Sequence, residues 1–140
     1  MFKKIFNKKK EEKINNNMLV AALLIHAAKI DENYSNIEKE IIKKALINLN
    51  LITPPEADDL MIKAEKKEQE SNQIIEFTRE IKKNSMKFRM KIIEILYEII
   101  YSDGSNDNYE SNLIRRICGL LYVSDKDSGI IKLKVKNSMK

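Results

Sequence analysis

The run MLVAALLIHAAKI, residues 18–30, is the most apolar stretch of the chain, interrupted only by His26 and Lys29. It falls well short of the roughly 20 apolar residues that cross a bilayer, so it reads as the central helix of a folded core. Asn17 is placed to cap its start, and the polar cluster DENYS, residues 31–35, ends it.

Working outward, Ile37, Ile41, Ala45 and Leu49, with Ile42 and Leu46, form one apolar stripe on a helix from about Ser35 to Asn50, leaving Glu38, Lys39, Lys43 and Lys44 for the other faces. Thr53, Pro54, Pro55 and Glu56 follow in capping-box spacing with Pro at the first helical position, which predicts a third helix running to about Glu70. At Ser71 the chain either restarts or bends, and Ile74, Ile75, Thr78 and Ile81 carry a short apolar face. From Ser85 to Tyr101 the period strengthens, with Phe88, Ile92, Ile95, Leu96 and Ile99 on one side. Leu113, Ile114, Ile117, Cys118, Leu120 and Leu121 mark a further amphipathic helix. The last segment, SDKDSGIIKLKVKNSMK, opens on capping residues but alternates Ile131, Leu133, Val135; it is read as a short helix. Few breakers, three Gly and two Pro, agree with long helices and short turns.

The segments repeat with an offset of 72 residues: Leu24 falls on Leu96, Ala27 on Ile99, Asp31 on Asp103, Glu38 on Glu110, Ile42 on Ile114 and Leu49 on Leu121. Each half reads helix, Asp, polar turn, Glu, helix. The expected fold is therefore all-α, a compact bundle of about seven helices with an internal duplication into two similar helix-turn-helix halves. The domain spans residues 17–135, between a basic, disordered tail at 1–16 and a short tail at 136–140.

The acidic pairs carry the sharpest chemistry. An Asp at the C-terminal end of a helix faces the negative end of the macrodipole, which costs roughly 0.3–1 kcal/mol, so its presence needs a reason. One reason is local: Asp31 and Asp103 cap the polar turns while Glu38 and Glu110 sit in the first turn of the next helix. The other is that each Asp and Glu meet across the turn as hard oxygen ligands of a divalent cation. Spacing leaves both open.

Other chemistries find little support. DGSNDNYESNLI, residues 103–114, begins like an EF-hand loop but has Asn108 where Gly belongs and Ile114 where the closing Glu belongs. The single cysteine, Cys118, excludes an internal disulfide and any multi-thiolate metal site, and points to a reducing, cytoplasmic setting. The single histidine, His26, lies within the apolar helix as a core or boundary residue. No nucleophile stands beside a base in a recognisable pattern, and there is no Gly-rich phosphate loop, so the chain is not read as an enzyme.

The formal charge of +5 is local. Residues 1–16 hold six lysines against two glutamates, a net +4, and the remainder is close to neutral. A nucleic-acid reader would carry a basic stripe with interleaved aromatics on its folded surface; none is present, and no nucleic-acid partner is expected. Phe2, Ile5 and Phe6 lie at helical spacing beside Lys3, Lys4 and Lys8 to Lys10, a pattern that can rest weakly on an anionic membrane surface. The alternative is a solvated tail. The expected localisation is cytoplasmic, with peripheral contact at the inner membrane face.

AALLIHAAKIDENYSNIEKEIIKKAL, then IIEFTREIKK, then IIEILYEIIYSDGSNDNYESNLIRRICGLLYVSDKDSGIIK together resemble the tellurite resistance TerB-like family over about residues 18–132. The resemblance implies an all-helical domain with an internal duplication, found alone or attached to other modules, including a membrane-anchored J-domain co-chaperone. It also implies a divalent-cation site at the acidic turns, here Asp31, Glu38, Asp103 and Glu110. In one respect the chain departs from the pattern: Glu32 follows Asp31 where the family has Gly, whereas Asp103 and Gly104 match. Tellurite itself is an oxyanion that carboxylates would repel, so a role in tellurite, metal or chemical stress would run through a bound cation or a protein partner.

Overall fold

The computed structural model describes residues 2–29, 35–49, 51–71, 73–102 and 108–138, with only the backbone described at 2–15 and 108–111. These residues form α1 (Phe2–Lys29), α2 (Asn36–Asn48), a 3-10 turn (Pro54–Glu56), α3 (Ala57–Glu70), α4 (Ile75–Ile81), α5 (Met86–Tyr101), α6 (Asn108–Leu121) and α7 (Asp125–Ser138), with no strand among them.

The apolar run in α1 is the centre of the core. Val20 through Ile25 are fully buried without a break; a helix apolar all round is one enclosed on every side. It packs against α3 and α4, and also touches α2 and α5. The second apolar helix, α5, buries Ile92, Ile93, Ile95, Leu96, Tyr97, Ile99 and Ile100 and lies against α7, α6, α1 and α2. Among the described residues no helix is long and apolar enough to cross a membrane.

Several boundaries differ from the sequence reading, each for a local reason. α1 begins at Phe2 rather than at an Asn17 cap, so residues 2–16, expected as a tail, continue the helix. No Pro or Gly precedes Asn17, and Lys and Glu favour helix. Asn17 is instead buried, its amide donating to the Leu51 carbonyl. Thr53 makes no side-chain cap; Pro54 holds it extended (φ −86°, ψ 153°), and the prolines start a 3-10 turn ahead of α3. On α2 Ile42, Ala45 and Leu46 are buried as expected, but Glu38 joins them, Ile41 and Leu49 are only partly buried, and Ile37 is 69% exposed. Ser71 is extended and separates α3 from α4, while Ser85 caps α5 by accepting from the Phe88 N–H at 3.2 Å. In α7 the apparent alternation is resolved at helical spacing: Ser128, Ile131 and Val135 face inward and Leu133 is 61% exposed.

α6 ends in a Schellman motif, with Val123 N–H donating to Cys118 C=O at 2.9 Å and Tyr122 N–H to Gly119 C=O at 3.4 Å. Tyr122 supplies the left-handed residue (φ 57°), a position that favours glycine. Its ring lies under the Lys82 ammonium at 4.6 Å, and Arg89 donates to Leu121 C=O at 2.7 Å.

Glu94 ties α5 to α7 by pairing with Lys91 and Lys134 at 3.1 and 3.2 Å. Burial works against its charge, yet the two lysines hold its carboxyl below the ordinary range. Glu98, one turn on, is pushed up, first by burial and then by the Glu94 charge. Folding therefore favours protonated Glu98: its contribution is fully present below the ordinary 4.5 and is lost as pH rises through the higher folded pKa. Glu98→Gln should stabilise the domain at pH 7–8 by on the order of 0.5 kcal/mol, and the gain should fade by about pH 4 as Glu becomes neutral in both states. Thermal unfolding across that pH range checks this, and a gain that persisted undiminished in acid would contradict it.

Candidate functional site

The two acidic segments recur at an offset of 72 in the sequence. α1 is described up to Lys29 and α2 starts at Asn36 behind Ser35; α5 ends at Tyr101 and α6 is described from Asn108. Glu38 is the third residue of α2, and Glu110 lies in α6. Asp31 and Asp103 lie outside the described residues, as does the side chain of Glu110. Of the four sequence-derived ligands, only Glu38 has a described side chain.

That side chain closes a capping box. Ser35, extended at φ −83° and ψ 166°, accepts the Glu38 N–H on its hydroxyl at 3.2 Å. In return Glu38 Oε1 accepts the Ser35 backbone N–H at 3.4 Å and the Ser35 hydroxyl at 3.2 Å. The carboxylate is 4% exposed, drawn back over the helix start where the dipole favours negative charge. The signal was present as S-x-x-E at residues 35–38, but reading Ser35 as the first helical residue hid it and put Glu38 on an outer face. Chemically, the group is a hard oxygen acceptor already engaged by two donors.

The helix end before the first turn is positively compensated. Glu68 of α3, unremarked in the sequence, reaches across to His26 Nδ1 at 3.2 Å and Lys29 Nζ at 2.9 Å. His26 is thus a boundary residue holding α1 to α3, and Lys29 in the last described turn suits the negative end of the α1 dipole. Among the described residues no group of three or more His, Cys, Asp or Glu side chains is close enough to hold a metal ion. Cys118 is buried, and burial pushes its thiol up, away from the thiolate a nucleophile needs.

A domain whose described residues form seven α-helices and no strand belongs to the class of small all-α modules. The family model for tellurite resistance protein TerB matches residues 17–133, and the chain belongs to that family. No curated protein and no solved structure matches it.

Proposed function

We propose that the chain is a non-catalytic TerB domain that binds a divalent cation through Asp31, Glu38, Asp103 and Glu110 and acts in the response to tellurite, metal or chemical stress. The observation that carries this reading is the register: Asp and Glu stand seven residues apart twice, at an offset of 72, and in each case the Glu falls in the helix that follows, Glu38 in α2 and Glu110 in α6. That agreement also supports an internal duplication. An all-oxygen donor set suits a hard cation such as Ca²⁺ or Mg²⁺. Calorimetric titration of the chelator-treated protein with Ca²⁺, Mg²⁺, Mn²⁺ and Zn²⁺ tests it; saturable binding of at least one ion is expected, and no heat from any of them would sink it.

A second reading is favoured by the Glu38 capping box. If the acidic residues serve only to cap turns, the domain is an interaction module, and its partner is a protein. The titration separates the two.

The basic start of α1 supports a weak contact with an anionic membrane surface. Each lysine near such a surface contributes about 1 kcal/mol at most, so binding should appear only at low salt. The full chain should sediment with phosphatidylserine-containing vesicles at low salt and release at high salt, and replacing Lys3, Lys4, Lys8, Lys9 and Lys10 with Gln should abolish sedimentation. Equal behaviour of the two proteins would remove the membrane from the partners.

A further inference from the structure

A cleft of about 470 Å³ opens between α5, α6 and α7, lined among the described residues by Tyr97, Arg115, Asp125, Ser128, Gly129 and Lys132. Its size lies within the range of small-molecule sites, about 300–1,000 Å³. Two buried hydroxyls meet in its wall, Tyr97 Oη and Ser128 Oγ, at 2.8 Å. Two cations line it, Arg115 from α6 and Lys132 from α7. Among the described residues neither is in an ion pair, although Lys134, two residues along α7, is held by Glu94. Asp125 adds one carboxylate, so the described lining is net positive but not uniformly so.

We propose that this cleft binds a small phosphate monoester that carries free hydroxyls. A phosphate monoester bears about −1.5 to −2 charges at neutral pH and three acceptor oxygens, which suits a guanidinium that can take two of them in a fork together with an ammonium. The volume is too large for a bare phosphate to fill. Asp125 would repel such an ion, whereas a hydroxyl on the ligand body gives that carboxylate a hydrogen bond to accept. Gly129 leaves the wall open, since a Cβ built there meets no atom within 4 Å.

The site depends on neither a cation nor the acidic turns, so its fate is independent of the function proposed above. Ribose 5-phosphate is the probe, titrated calorimetrically into the full chain, with ribose, inorganic phosphate and gluconate alongside. Ribose 5-phosphate should bind, and at least tenfold more tightly than each of the other three. Arg115→Gln and Lys132→Gln should each weaken it about tenfold, while Lys126→Gln, a charge-matched change outside the lining, should leave it unaltered. Asp125→Asn should weaken ribose 5-phosphate but not inorganic phosphate. Gly129→Leu should close the cleft and abolish binding while circular dichroism shows the helices retained. The proposal is overturned if ribose 5-phosphate does not bind at millimolar concentration, if gluconate binds as well, or if the Arg115 and Lys132 variants bind as tightly as the parent.

Discussion

Phe77→Ala should destabilise the domain by about 3–5 kcal/mol, a large part of the 5–15 kcal/mol typical of a folded domain. α4 is only seven residues long, too short to persist without tertiary packing. What holds it between α1 and α6 is the inward set Ile74, Phe77, Thr78 and Ile81, of which Phe77 is the largest, 1% exposed. Thr78 meets its burial locally, sharing its hydroxyl between the Ile74 and Ile75 carbonyls at 3.3 and 3.2 Å, so the apolar contacts rest on the other three. Removing the ring opens a cavity that the short helix can close only by moving away from α1. Urea denaturation followed by circular dichroism measures the loss. Ile75→Ala, at a position 37% exposed, should cost well under half as much. A loss below about 1.5 kcal/mol for Phe77→Ala would mean that α4 is not held by this side chain.

The same helix shows what the sequence disclosed and what it concealed. The Ile74, Thr78, Ile81 period is legible, but the sequence does not separate the more exposed Ile75 from the buried Phe77, because in two turns the boundary between faces depends on neighbours that periodicity does not specify. Long helices were easier: Ile92, Ile95, Leu96 and Ile99 of α5 and Leu113, Ile114, Ile117, Cys118 and Leu121 of α6 are buried as the period implies, but α5 also buries Ile93, Tyr97 and Ile100, a width of face that periodicity alone does not show. Caps depended on context. Ser35 and Ser85 both close helix starts, whereas Asn17 was consumed within a longer helix and Thr53 was overridden by the two prolines after it. At the site, spacing located Glu38 in a first helical turn but not its burial or its reciprocal bonds with Ser35. Glu68 was invisible because it comes from α3, and a cross-helix partner leaves no local pattern.

Asp103→Asn with Glu110→Gln should abolish the gain in melting temperature that a bound cation confers. At a cation concentration of about 100 times Kd that gain corresponds to about 2.7 kcal/mol, large enough to read in a thermal scan of a chain this size. The sign in the metal-free protein separates the two readings of these residues. Carboxylates gathered to hold a cation repel one another without it, so neutralising two of them should raise the stability of the chelator-treated protein. Carboxylates that only cap turns leave in Asn and Gln an oxygen that accepts the same N–H groups, so the change should instead cost about 0.3–1 kcal/mol, the lost attraction of a charge to the helix dipole, with or without metal. Glu38→Gln serves as the internal reference. Gln keeps the oxygen that accepts the two bonds from Ser35 but not the charge that the helix start favours, so this variant should lose a little stability in the metal-free protein whatever the other three residues do. If the Asp103 and Glu110 pair behaves like Glu38, losing stability in chelator and showing no cation-dependent shift to abolish, the turns are structural and the cation reading fails. If it gains stability in chelator and loses the shift, the acidic turns are there for the ion.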